Sequence, residues 1–179
     1  MAPAASSIVS GETAIGDWKE SSNPGDWLVN GIYFWEHGRE RARQWAEGKV
    51  KRHETGTPAV IGAVIQLGEC LDLTDQRFTK LLSVAYGQAK RAYQAEGKTL
   101  PRNRGPKPNV PNRDLDCLVI NWCVQQMAEK GVNFQTVRCP FWAGKQVYKG
   151  ARIRVESHIQ IAVRDRNCIL GVFRPNLSG

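Results

Sequence analysis

The stretch from Gly25 to Glu36 constrains the fold of this chain more than any other. A Pro-Gly-Asp turn precedes a short run of aromatic and β-branched residues, a pattern that predicts a strand. A helix is predicted to begin directly after it. Tyr33 would then lie where a strand meets a helix, with a flat ring face for a ring ligand and a hydroxyl free to hydrogen-bond. Alternatively, Tyr33, Phe34 and Trp35 are core aromatics of an amphipathic strand.

Length and cysteine usage limit the class of protein. A chain of 179 residues predicts a single domain spanning 1–179. Its five cysteines are an odd number at irregular spacing, which predicts reduced thiols, a cytoplasmic location and no zinc or other metal site. The first residues lack a basic segment and an apolar segment of a signal peptide, and no apolar run is long enough to span a bilayer. We therefore expect a soluble protein without a membrane partner.

The charge of the chain favours an anionic partner. The net charge is +8, and the cations form one group in the helix after Tyr33 and another between 98 and 113. A solvated helix face and a charged loop are the alternatives. The segment 98–113 is rich in proline, so it is predicted to be irregular, either disordered or a substrate-contacting loop. The candidate acceptor-binding residues are Arg39, Arg43, Arg102, Arg104 and Lys107.

Periodicity predicts the remaining elements. Apolar residues at helical spacing predict helices over 36–52, 75–96 and 114–130, the second capped by Thr74. Residues 4–11 are predicted to be the end of a helix closed by a glycine. Short β-branched runs predict strands over 59–68, 134–138, 151–163 and 168–175.

The order of residues around Tyr33 resembles a known motif. Gly31-Ile32-Tyr33-Phe34, followed by a helix rich in small residues, is similar to the central motif of the diphtheria-toxin-like, poly-ADP-ribose-polymerase-like class of NAD-dependent ADP-ribosyltransferases. The resemblance implies that Tyr33 stacks on nicotinamide. It also implies that Gly31 lets the backbone approach the ligand.

The last two predicted strands carry a second motif of the same family. Residues His158, Gln160 and Ala162 alternate with apolar residues, and the chain then turns through an Asp-containing stretch into the final strand. This hairpin resembles the family's catalytic strand pair and puts Gln160 at the position of the glutamate that bonds the NAD ribose. The amide keeps the carbonyl oxygen and loses the negative charge. His158, on the same strand face, is expected to orient the ribose or contact the acceptor.

The resemblance implies an α+β fold in which split antiparallel sheets form an NAD cleft flanked by helices. The family's first strand, which carries His-Gly-Ser or His-Gly-Thr, is expected to be missing because residues 4–11 match the helix after it. The implied activity is mono-ADP-ribosyl transfer from NAD+, without a metal, in a toxin or defence role. The acceptor would be nucleic acid or protein, with an antitoxin as a possible partner. Two alternatives remain: an inactive NAD- or nucleic-acid-binding module of the same fold, and a basic nucleic-acid-binding protein unrelated to NAD.

Overall fold

A computed structural model of the chain describes residues 2–9, 18–53, 56–106 and 110–175. Within these ranges the fold is α+β, with helices flanking mixed and antiparallel β-structure. The strands are β1 Ala2–Val9, β2 Ile32–Glu36, β3 Pro58–Ile65, β4 Cys70–Asp72, β5 Thr136–Phe141, β6 His158–Val163 and β7 Ile169–Phe173. The helices are α1 Arg39–His53, α2 Gln76–Ala95 and α3 Asp114–Ala128.

The strands are linked in the order β4-β5-β6-β2-β1-β3-β7. β4 pairs with β5 in parallel, and every other described pair is antiparallel. Strand β1 joins the two halves of the sheet through only two register pairs with β2, whereas it forms eight with β3. The two small sheets expected from the sequence are therefore connected into one, and the parallel pair is an addition to them.

The N-terminal segment differs from its prediction. Residues 4–9 belong to strand β1, so the predicted helix end over 4–11 is wrong for the residues that are described; residues 10–17 lie outside them. Strand β1 pairs with β3 along its whole length. The prediction used only nearby residues and could not include this distant partner. A strand thus lies in the N-terminal segment, where none was expected, and it carries no histidine.

All three helices belong to one side of the sheet. Ala42 of α1 is buried against Trp35 of β2, and Ile120 of α3 is buried in a cluster with Ala162 of β6. Helix α2 packs on α3 through Ala85 and its neighbours. Trp35 and Ala162 lie on the same face of the sheet, so α1 and the α2–α3 pair cover different parts of that face. The other face carries a separate apolar cluster that includes Trp18, Ile32, Phe34, Ile65, Ile161 and Val163.

The helix boundaries agree closely with the sequence, but one cap does not. Asp75, and not Thr74, caps α2, and its side chain accepts a hydrogen bond from the backbone N–H of Arg77 at 2.8 Å. The Thr74 hydroxyl instead donates to Asp72 Oδ1 at 2.8 Å. Both residues are good cap formers, and the turn after β4 decides between them.

The strand predicted over 151–163 begins only at His158. Before it, the chain from β5 to β6 forms an excursion that pairs with itself, through an isolated bridge between Gln146 and Arg154. The backbone N–H of Val155 donates to Lys145 O at 3.0 Å within the same excursion. The backbone groups of 151–157 are thus used inside the excursion rather than in the sheet.

A buried ionic cluster ties three strands together on the face opposite the helices. Arg138 of β5 donates from Nε to Glu36 Oε2 of β2 at 2.8 Å and from Nη1 to Asp72 Oδ2 of β4 at 3.0 Å. The three side chains are 17%, 12% and 30% exposed, in that order. One guanidinium therefore neutralises two carboxylates that would otherwise face each other with little solvent between them.

Candidate ligand-binding cleft

A cleft of about 790 Å³ lies beside α1. Its floor includes Tyr33 and Trp35 of β2 and Gln160 of β6. One wall is α1, and the rest comes from residues between 18 and 31 and between 104 and 114. A cavity of this volume is in the range that holds small molecules and cofactors.

Tyr33 and Gln160 lie close together on the cleft floor. Trp35 is the register partner of Gln160, and Tyr33 is the partner of Ala162. Tyr33 and Gln160 are therefore diagonal neighbours on one face of an antiparallel pair, at a separation of about 7 Å. The two residues that the sequence singled out, 127 positions apart, thus line one cleft.

The hydroxyl of Tyr33 is not free, contrary to the sequence-based expectation. It donates to Val29 O at 2.8 Å and accepts from the backbone N–H of Leu28 at 3.1 Å. Burial, with a smaller contribution from the charge of Asp26, raises the pKa of the Tyr33 phenol far above its usual value. The phenol therefore stays protonated and holds the turn before β2, which leaves the ring as the part of Tyr33 available to a ligand.

Gly31 also permits two strands to pack closely. It lines the cleft, but a Cβ at this position would lie 2.7 Å from Val163 O of β6. The missing side chain therefore lets the start of β2 approach the end of β6. This close approach contributes to the geometry of the cleft floor.

The carbonyl oxygen of Gln160 is a buried acceptor without a partner. Gln160 is 8% exposed, and no described group donates to its Oε1. Its Nε2 lies 3.2 Å from Nε2 of His158. The other ring nitrogen of His158, Nδ1, lies 2.6 Å from Glu156 O. Since a backbone carbonyl can only accept, Nδ1 carries the proton, Nε2 is the acceptor, and Gln160 donates through its amide N–H.

His158 is held behind Gln160 by aromatic rings. Its ring stacks on Trp27 with a centroid distance of 5.6 Å and packs against Phe141 at 5.8 Å. The guanidinium of Arg113 lies over both of these rings, at 5.0 and 5.7 Å. Burial lowers the pKa of His158, which keeps the ring neutral at pH 7. His158 is not among the described residues that line the cleft, and its contact with Gln160 orients that amide.

Comparisons with known proteins do not assign this chain to a family. No family model, no curated protein and no solved structure matches it. The geometry of the cleft, together with the sequence motifs, is therefore the basis for any functional assignment.

Of the cations predicted to bind an acceptor, only Arg104 lines the cleft among the described residues. It forms two hydrogen bonds with Asp114, at 3.1 and 3.0 Å. Arg43 points away and pairs with Glu40 at 2.8 Å and with Glu47. Arg39 and Arg102 do not line the cleft, and Lys107 lies outside the described residues.

Three further cleft cations come from α1: Arg41, Lys49 and Arg52, which belong to the predicted cation group of this helix but were not among the candidate acceptor-binding residues. With Trp45 they are spaced by four, four and three residues, which is one stripe of a helix. This spacing was readable from the sequence. The sequence alone did not indicate which side of the helix is buried. In the structure, that side carries Ala42 and Ala46.

The cleft has no uncommitted carboxylate among the residues described. Asp26 accepts from the Ser21 hydroxyl at 2.9 Å and from the backbone N–H of Asn23 at 3.0 Å. Asp114 is bonded to Arg104. Near Gln160, the cleft therefore presents hydrogen-bonding groups and cations rather than a free negative charge.

Thiols and metal-ligating side chains offer no second site among the described residues. All five cysteines are free thiols, and burial raises the pKa of Cys117 to about 11 and that of Cys139 to about 12, which makes both poor nucleophiles at pH 7. Within the described ranges, no three or more His, Cys, Asp or Glu side chains are grouped to hold a metal. No described helix is long and apolar enough to cross a membrane.

The buried ring of His158 predicts a pH dependence of stability. An unfolded His158 takes up a proton near pH 6.5, whereas burial lowers the pKa in the folded state. The unfolded state therefore binds more protons between these two pKa values, and the free energy of unfolding falls as the pH drops below about 6.5. Urea unfolding between pH 7.5 and 5.0 should show this fall in the unchanged chain, with a smaller fall in His158→Gln. Parallel pH profiles for the two proteins would contradict the assignment.

Proposed function

We propose that this chain binds NAD+ in the cleft and transfers ADP-ribose to a macromolecular acceptor, with release of nicotinamide. The observation that carries the proposal is the pairing of Tyr33 and Gln160 on adjacent strands of the cleft floor. Both sit at positions that, by the resemblance, contact the two groups on either side of the bond to be broken. In a toxin or defence role, such transfer would inactivate the acceptor.

The partnerless oxygen of Gln160 supports ribose binding. A buried carbonyl without a donor costs about 1–3 kcal/mol. A ribose hydroxyl that donates to Oε1 would remove this cost, and the Nε2–His158 contact holds the amide in the orientation that keeps the oxygen available. The ring of Tyr33 offers a stacking surface for nicotinamide beside it.

The chemistry of the transfer is a displacement at the ribose. The bond between ribose C1 and the nicotinamide nitrogen breaks, and its electron pair leaves with nicotinamide. An oxygen or nitrogen of the acceptor bonds to C1 and releases its proton to solvent. The positive charge that develops at the ribose is stabilised by a nearby negative group. Gln160 supplies only the dipole of its carbonyl for this purpose.

The lack of a negative charge on the Gln160 side chain favours a second candidate, an NAD+-binding module that does not catalyse transfer. Both carboxylates of the cleft, Asp26 and Asp114, are already hydrogen-bonded within the protein. A module of this kind would bind NAD+ through the same residues and leave it intact.

The test measures NAD+ binding and nicotinamide release by the unchanged chain and by Gln160→Glu and Gln160→Leu. Under the transfer proposal, the unchanged chain binds and cleaves NAD+, and the glutamate variant releases nicotinamide at least about tenfold faster because it restores the charge. The leucine variant loses both signals. Binding without release, in the unchanged chain and the glutamate variant alike, would replace transfer by the second candidate. Absence of binding would overturn both.

A further inference from the structure

Helix α1 lines the cleft with a stripe that combines cations and an aromatic ring. Arg41, Trp45, Lys49 and Arg52 all face the cavity. At a rise of 1.5 Å per residue, the stripe extends over about 16 Å. We refer to these four residues as the α1 stripe.

The cations of the α1 stripe differ in how far other protein groups occupy them. Neither Lys49 nor Arg52 forms an ion pair with any described residue. Arg41 contacts Glu156 at 3.4 Å and donates to Gln44 Oε1 at 3.1 Å, whereas its Nε is buried without a hydrogen-bond acceptor. The acids of α1 lie on the other side of the helix, where Glu40 and Glu47 neutralise Arg43. The positive charge of the helix is therefore concentrated towards the cleft.

Trp45 provides a half-exposed ring in the middle of the stripe. It is 46% exposed, which is unusual for a tryptophan on a helix that packs against a sheet. Trp35 lies behind it at a centroid distance of 6.0 Å, and the guanidinium of Arg52 lies 5.4 Å from its ring. Trp35 itself is 5% exposed and lines the cleft with an indole N–H that has no acceptor. The ring of Trp45 is thus packed against Trp35, with the guanidinium of Arg52 over it, so a base that stacks there takes the place of that guanidinium.

The length of the α1 stripe favours a chain of phosphates over a single pyrophosphate. The two phosphates of a dinucleotide are adjacent and need cations at one point, whereas three cations here span about 16 Å. Phosphates along a nucleic acid strand, with a base stacked on an aromatic ring, match that arrangement. A duplex keeps its bases stacked inside, and a cleft of about 790 Å³ cannot enclose it.

From this arrangement we propose that the acceptor is single-stranded nucleic acid bound along α1. Arg41, Lys49 and Arg52 contact its phosphates, and one base stacks on Trp45. The proposal rests on the proposed function for its biological meaning, because Gln160 lines the same cleft and the bound strand would lie beside the NAD ribose. The binding itself does not require NAD+.

The test is fluorescence anisotropy with labelled single-stranded RNA, single-stranded DNA and the matching DNA duplex, over a series of salt concentrations. The unchanged chain is expected to bind the single strands more tightly than the duplex. The double variant Lys49→Gln, Arg52→Gln should bind at least tenfold more weakly and show a shallower salt slope, by about 1.4, for two lost phosphate contacts. Trp45→Ala should bind about tenfold more weakly, and Trp45→Phe should retain most of the affinity.

Arg43→Gln is the matched control, because it removes a cation from the same helix on the side away from the cleft. It should bind like the unchanged chain. The single variant Lys49→Gln removes one cation from the α1 stripe and should bind more weakly than Arg43→Gln. Equal losses in these two single variants would overturn the proposal, since binding would then follow net charge and not the α1 stripe. Equal affinity for the duplex, or no binding of any strand at low salt, would also overturn it. Circular dichroism checks that each variant is folded.

Failure of this proposal is distinguishable from failure of the proposed function. Nicotinamide release from NAD+ without strand binding, with label transferred to proteins, would retain the transferase and replace the acceptor by protein. Strand binding that depends on the α1 stripe, without NAD+ binding, would retain the nucleic-acid site and remove the transferase.

Discussion

A chain carrying Tyr33→Leu is expected to bind NAD+ at least about tenfold more weakly than the unchanged chain, whereas Tyr33→Phe should bind it nearly as well. The phenylalanine keeps the ring that lines the cleft, and the leucine removes it while filling much of the same space. Isothermal titration calorimetry with NAD+ measures the difference directly.

The same two variants are also expected to be less stable than the unchanged chain, because both lack the Tyr33 hydroxyl. The Tyr33 hydroxyl satisfies Leu28 N and Val29 O, so Tyr33→Phe leaves both groups without a partner and should lower the free energy of unfolding by about 1–3 kcal/mol. Urea unfolding measures this cost. If Tyr33→Leu, once shown to be folded by circular dichroism, bound NAD+ with unchanged affinity, Tyr33 would be a core aromatic and not a stacking surface.

Replacement of Arg138 by methionine should have the largest effect on stability. The guanidinium bonds Glu36 at 2.8 Å and Asp72 at 3.0 Å, and these carboxylates are largely removed from water. Methionine preserves most of the packing volume but leaves two negative charges without their shared partner. Breaking a buried ion pair from one side costs about 3–5 kcal/mol, and the partial exposure of Asp72 argues for the lower end. Urea unfolding at pH 7 measures the loss.

Two further variants test the physical reason. Arg43→Met removes an arginine that also bonds two acids, but on the exposed side of α1, and should leave stability nearly unchanged. Adding Glu36→Gln to Arg138→Met should recover part of the loss because one of the orphaned charges disappears. A loss for Arg138→Met as small as that for Arg43→Met would show that the cluster is solvated in solution.

Local sequence signals were sufficient wherever an element is defined by its own residues. The aromatic run ending at Trp35 forms β2, and the following basic segment forms α1 within a few residues of its predicted bounds. The alternation of His158, Gln160 and Ala162 is confirmed by the register with β5 and β2. Each of these follows from side-chain periodicity, which the backbone geometry imposes directly.

Features that depend on distant partners could not be predicted in this way. Strand β1 forms because it pairs with β3 along its whole length. The three residues of β4 form a strand because they pair in parallel with β5. The available oxygen of Gln160 depends on a tautomer of His158 that is set by the Glu156 backbone. None of these contacts between distant residues produces a periodic pattern in the sequence.

The narrow junction between the two halves of the sheet is held by side chains more than by backbone hydrogen bonds. Only the pairs Ala4–Glu36 and Ala5–Trp35 connect β1 to β2, and Trp35 is opposite Gln160 on the cleft floor. Few backbone hydrogen bonds cross this line, but the two halves share one apolar cluster in which Phe34 of β2 and Ile65 of β3 are fully buried. Parting the halves would expose this cluster to water, so the sheet does not separate here without loss of its core. The cleft floor is therefore held as one surface by the side chains beneath it rather than by its hydrogen-bond ladder.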